Sequence, residues 1–222
     1  MLIRTLTGAL IAGGMTCAPA QATDTAAAPT AGLPAAAYTL EKTHASLTFR
    51  VDHLGLSRYT ARFTRLDATL TIDPADPAAA TLTATVDPRS LETDFPLAQP
   101  DFDAQIQGPQ FLDAAKYPEI AFRSTRIELT GPSTARLTGD LLLHGVTRPV
   151  AMNATFNGGY AGIPGGPPEA RIGFSAIGTL KRSDFGITYG IPAPGTTLGV
   201  GDEVEFMLEV EFIGPPAARA AQ

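Results

Sequence analysis

The sequence predicts an all-β protein: an antiparallel barrel of eight strands with a short helical lid between the third and the fourth. Two observations lead there. From Ala37 onward the chain reads as runs of alternating apolar and polar residues, and clusters of Gly, Pro and Asp separate the runs. The last run shows the physics most plainly, because Val204, Phe206, Leu208 and Val210 alternate with Glu203, Glu205, Met207, Glu209 and Glu211. A period of two places the first set on one face of a strand and the acids on the other. Strands of this kind need a sheet with one dry face and one wet face. Closing that sheet into a barrel removes its exposed edges and can leave an apolar interior large enough for a ligand.

The first strand is predicted over Ser46 to His53, where Leu47, Phe49 and Val51 alternate with Thr48, Arg50 and Asp52. The second run, Thr60 to Asp73, starts with Phe63 on one parity and continues with Leu66, Ala68, Leu70 and Ile72 on the other. A change of parity inside a run implies a bulge near Thr64 and Arg65. Leu82, Ala84 and Val86 define a third strand that Asp87-Pro88 stops. Five more fit Glu119 to Leu129, Ala135 to Leu143, Arg148 to Asn157, Arg171 to Lys181 and Glu203 to Ile213, with hairpin connections at Gly131-Pro132 and within Gly158 to Pro168. Asp87 to Pro118 has no clean alternation. Asp101 can cap a short helix holding Phe102 and Ile106. A segment this long in a compact domain needs a task, and the expectation is a lid whose Leu91, Phe95, Leu97, Phe102, Ile106, Phe111 and Leu112 face inward, either over a cavity or simply plugging the core.

The ends read differently. Arg4, the apolar stretch Leu6 to Cys17 and Ala20-Gln21-Ala22 fit a secretory signal peptide over residues 1–22, with cleavage near Ala22 and a periplasmic or secreted location. Gly14-Met15-Thr16 lacks the aliphatic and small residues that a lipid-anchor signal places before its cysteine. Residues 23–36, mostly Ala, Pro and Thr, are expected to be a disordered linker, 37–214 the folded domain and 215–222 a disordered tail. Cys17 is the sole cysteine, so loss of the leader leaves neither disulfides nor thiolate metal sites. The cleaved chain carries 15 basic against 22 acidic residues, a net charge of −7. Such a balance argues against nucleic acid or an anionic membrane surface as partner.

Dry-face residues are the candidate lining: Phe49, Val51, Phe63, Leu70, Leu82, Phe122, Leu137, Leu141, Phe156, Phe174, Ala176, Leu180, Phe206 and Leu208, with Phe111 from the lid. Ala84, Gly139 and Gly178 are expected to leave volume unfilled beside them. The alternative is that all these side chains fill the barrel. His44, His53 and His144 lack the close spacing of a pair supplied by one element to a metal, so no metal is expected, and His53 and His144 sit at strand ends where they can fix turns or meet a ligand head group. Lys181, Arg182, Ser183 and Asp184 end another strand and could meet a ligand head group at the barrel mouth, or close a turn with Asp184 paired to Arg182. No Gly-x-Ser-x-Gly, His-Glu-x-x-His or phosphate-binding loop is present, and the chain reads as non-enzymatic.

Three segments, Gly139 to Val150 (GDLLLHGVTRPV), Phe174 to Gly186 (FSAIGTLKRSDFG) and Gly201 to Phe212 (GDEVEFMLEVEF), carry a resemblance. With Lys42-Thr43-His44 leading into Leu47 to His53, and with Phe111 to Phe122 (FLDAAKYPEIAF), they resemble the YceI-like family of secreted polyisoprenoid-binding proteins across about Ala37 to Ile213. The resemblance implies a lipocalin-like antiparallel barrel that binds an isoprenoid, an isoprenoid quinone or another long-chain lipid, needs no other cofactor, and forms a homodimer in many members. It also implies an alternative: a scaffold or dimeric partner for a membrane redox protein of the cytochrome b561 type. Ala61, where the family often has Gly, and the Gly/Pro-rich stretch before Arg171 depart from the pattern and leave the shape of one turn and one hairpin open.

Overall fold

The computed structural model describes residues 32–163 and 165–217. Its strands are β1 (Ala36–His53), β2 (Ser57–Phe63), β3 (Leu66–Ile72), β4 (Thr81–Val86), β5 (Leu91–Glu92), β6 (Ile120–Leu129), β7 (Thr134–Leu143), β8 (Val146–Tyr160), β9 (Glu169–Lys181) and β10 (Val200–Pro216), with one α-helix, α1 (Phe102–Gln107), between β5 and β6. All pairings are antiparallel, and β1 joins β10 to close the sheet. Ten ladder segments make eight staves, because β2 and β3 run as one interrupted strand and β4 and β5 as another.

The β2/β3 interruption falls where the parity changes. Phe63 and Leu66 both reach the interior, and the backbone of the two residues between them pairs with the neighbouring stave: Thr64 N donates to the Ser90 carbonyl (3.1 Å) and Asp87 N to that of Arg65 (3.0 Å). β1 is far longer than its clean alternation suggests. A bulge across Glu41 to His44 lets its first half pair with β3 and its second half with β2, while its other edge follows β10 throughout. β6 holds an irregularity between Ser124 and Arg126 that the sequence pattern does not reveal. The β7–β8 turn has two residues, His144 (φ 52°) and Gly145 (φ 74°). Positive φ at both central positions is the hairpin turn whose twist matches the strands, and Gly there adopts it without strain.

The outer face carries cross-strand ion pairs. Arg50 and Glu205 are register partners on β1 and β10 and bond directly, and Arg62 reaches its partner Glu92 at 2.7 Å. Such pairs contribute about 0.2–1 kcal/mol each and fix register more than they fix stability.

Of the expected segments, 1–22 and most of 23–36 lie outside the described residues. The last residues of the linker are placed: Leu33 packs against the core around Tyr38, and Ala36 begins β1. Packing of the domain therefore starts before Ala37. At the other end β10 runs to Pro216, two residues into the expected tail.

Candidate functional site

Inward side chains leave part of the barrel interior unfilled. They surround a cavity of about 700 Å³ in the half nearest the lid and a second of about 270 Å³ in the half formed by the β3–β4 and β6–β7 connections. The larger volume is well within the range of ligand sites. All fifteen residues expected to line the interior do so. Phe49, Val51, Phe63, Phe111, Phe122, Leu141, Leu180 and Phe206 face the larger cavity, Leu70, Leu137, Phe156, Phe174 and Ala176 the smaller, and Leu82 and Leu208 both.

Two small residues act differently from expectation. A Cβ on Gly178 would strike the Phe206 ring of its register partner, and one on Gly139 would strike the Phe122 ring. These glycines do not leave volume empty: they let an aromatic ring lie flat against the wall. The free volume comes instead from Ala84 and Ala176, which face it directly.

The lid forms because Asp101 caps α1, accepting from Ala104 N at 3.0 Å, while Asp103 accepts from the Thr93 backbone N–H (2.8 Å) and hydroxyl and ties the helix to β5. This fills the gap left between β5 and β6. Phe95, Phe102, Ile106, Phe111 and Leu112 face the cavity, and Leu91 is buried against Ala61 and Phe63. Leu97 is a correction: it is 62% exposed and outside the cavity lining, while Phe95 and Phe102, with ring centroids 5.1 Å apart, supply the inward side chains of this stretch.

The exposed members of the lining show where the larger cavity meets solvent. They are His53 at the end of β1, Gln105 on α1 and Tyr189 after β9. Polar groups otherwise enter the lining only as Tyr59, Thr93 and Arg182. Tyr59 donates its hydroxyl to the Thr93 carbonyl (3.1 Å), so this wall is polar but largely self-satisfied.

Arg182 is the exceptional member, lining an apolar cavity at only 6% exposure. Its guanidinium donates to the carbonyls of Gly201 (2.8 Å), Ile187 (3.2 Å), Tyr189 (2.8 Å) and Val200 (2.8 Å). Burial lowers its pKa from the ordinary value, and nearby Asp202 opposes that. Of the neighbours proposed as a head-group cluster, Lys181, Ser183 and Asp184 are outside the lining. Ser183 donates its backbone N–H (2.9 Å) and hydroxyl (2.8 Å) to Asp202, and Asp184 offers its carbonyl to Arg148 rather than its carboxylate to Arg182. His144 is also outside it. Its Nδ1 donates to the Phe185 carbonyl (3.0 Å), with the Tyr117 ring edge-on at 4.6 Å, which is the turn-fixing role expected of it. Among the described residues no group of three His, Cys, Asp or Glu side chains could hold a metal ion.

Sequence reasoning missed Tyr59, Gln105, Met152, Ile187 and Tyr189. Met152 was legible by parity with Phe156, whereas Ile187 and Tyr189 sit in a loop without alternation.

Comparison with known proteins gives a consistent assignment. The family model for the YceI-like domain matches residues 38–212. A UPF0312 protein of Pseudomonas savastanoi pv. phaseolicola is 39% identical over 182 residues, spanning 81% of this chain and 86% of that one. The YCEI protein of Campylobacter jejuni superposes with a TM-score of 0.59 at 28% identity, over 73% of this chain and 88% of its own. A polyisoprenoid binding domain from Saccharophagus degradans shares the fold at TM-score 0.58 and 14% identity, over 80% and 98%.

Proposed function

Because the chain belongs to the YceI-like family, we propose that it is a non-catalytic binding protein holding a polyisoprenoid, an isoprenoid quinone or another long-chain lipid inside its barrel. The observation that carries this is the cavity of about 700 Å³, walled almost wholly by hydrocarbon and open beside His53, Gln105 and Tyr189. A chain carbon is comparable in size to a water, whose share of liquid volume is about 30 Å³, so the cavity takes on the order of twenty carbons, or roughly four isoprene units. Each buried CH2 contributes roughly 0.8 kcal/mol, so a five-carbon unit contributes on the order of 3 kcal/mol before ordering costs. Tight binding then needs few polar contacts. The isoprenoid-binding neighbour of the same fold supports this ligand class, and the leader read in residues 1–22 supports a periplasmic or secreted carrier. The scaffold-only reading has no use for such a cavity.

The test is organic extraction of protein exported and purified without detergent, with mass spectrometry of the extract, alongside uptake of a prenol added to the same protein. A co-purifying isoprenoid or uptake with one-to-one stoichiometry is expected. Protein that neither carries nor takes up a long-chain lipid refutes the proposal.

A further inference from the structure

Resting on that reading, we propose that Met152 is a gate between the two cavities and selects the ligand by chain length. The two cavities adjoin along shared walls: Leu82, Ala84, Val86, Met152 and Leu208 line both. In the closed ring of staves, β4 lies three places from β8 and three from β10, so Leu82 and Ala84 look across the interior at Met152 and Leu208. These residues form a waist. At 9% exposure Met152 is packed, yet it alone in this ring is an unbranched side chain able to fill a gap in one rotamer and clear it in another. Its β-branched or γ-branched companions are stiffer, and Ala84 has nothing to move.

Two ligand regimes follow from the volumes. Chains up to roughly four isoprene units fit the larger cavity with Met152 in place. Longer chains must displace it and thread into the second cavity, about 270 Å³ more, whose lining includes the 55% exposed Leu129 at the end remote from the lid. Affinity therefore rises with length, pauses where the waist has to open, and rises again.

The experiment measures affinity for all-trans prenols of three to eight isoprene units by competition with a fluorescent polyene fatty acid, for the parent protein, Met152→Ala and Met152→Leu. Thermal melts check that each variant is folded, and Leu for Met is a well-tolerated core exchange. The parent is expected to gain about tenfold per unit up to four units, the share left after ordering costs, to gain less than threefold at the fifth, and then to resume. Met152→Ala removes the pause, and Met152→Leu extends it to longer chains. A parent profile without a pause, or one profile shared by all three proteins, overturns the gate. Failure of every protein to bind even the four-unit prenol refutes the lipid-binding reading on which the gate rests.

Discussion

Replacing Arg182 by Met keeps most of the side-chain stem and removes the guanidinium that draws the β9–β10 loop against the barrel. Four carbonyls, those of Ile187, Tyr189, Val200 and Gly201, lose their donor at once. A buried group left unsatisfied costs about 1–3 kcal/mol, but the carbonyl of exposed Tyr189 can regain water, so about three remain orphaned. Relief from burying a cation offsets part of this. The expected net loss is about 3 kcal/mol. For a domain of this size each kcal/mol moves the melting midpoint by roughly 2–4 °C, so the midpoint should fall by roughly 6–12 °C. Arg182→Lys should recover little, since a compact ammonium with three donors cannot span four carbonyls on two sides of a loop. The assay is thermal unfolding followed by circular dichroism, with urea titration to give the free energy. A midpoint within about 2 °C of the parent would refute the view that Arg182 is a structural latch.

Three further outcomes are expected. Gly178→Val places a side chain against the Phe206 ring and 2.9 Å from the Ala151 carbonyl at its first carbon, so it should destabilise by more than about 2 kcal/mol in urea titration, whereas Thr179→Val on the outer face should change little. Ile106→Asp puts a carboxylate over the larger cavity and should weaken binding of a four-unit prenol at least tenfold while the barrel's far-ultraviolet spectrum is retained. Two carboxyls sit below their ordinary range: Asp67 through the Lys42 ammonium at 2.6 Å, and Asp87 because Arg65 and the Arg89 N–H outweigh a burial effect that alone would raise it. Their stabilisation is present above their unfolded values near about 4 and is lost as pH falls through the lowered folded values. Asp67→Asn with Asp87→Asn should therefore flatten the fall in melting midpoint between about pH 5 and pH 2, by well under 1 kcal/mol per group given their exposure.

The legible parts of the fold are those where one physical signal dominates. Alternation in β10 and the parity change between Phe63 and Leu66 each have a single geometric reading, and both appear in the structure. The full length of β1 was not legible, because Glu41 to His44 form a bulge whose polar residues break the period before Tyr38 and Leu40 restart it. Glycine was misread for a related reason. A missing side chain on a dry face can leave a void or make room for a neighbour, and only the register places Phe206 opposite Gly178. Arg182 was ambiguous because a cation at a strand end can bind a ligand or the backbone, and the four carbonyls that decide the matter lie in a loop without periodicity.

The same four bonds constrain the head group. A guanidinium has five N–H donors, and the backbone takes four of them. Arg182 is therefore unable to grip a phosphate in the bidentate manner that makes arginine a strong anion site. One remaining donor suits a single carbonyl or hydroxyl oxygen. The polar lining of the larger cavity, His53, Tyr59, Thr93, Gln105 and Tyr189, lies with Arg182 at the lid end. A ligand with one polar end is thus expected to lie with that end under the lid and its tail toward Met152. A prenol should bind at least as tightly as the prenyl phosphate of equal length, in the competition assay used for chain length. Tenfold tighter binding of the phosphate would show that the mouth offers anion-binding groups that these contacts leave no room for.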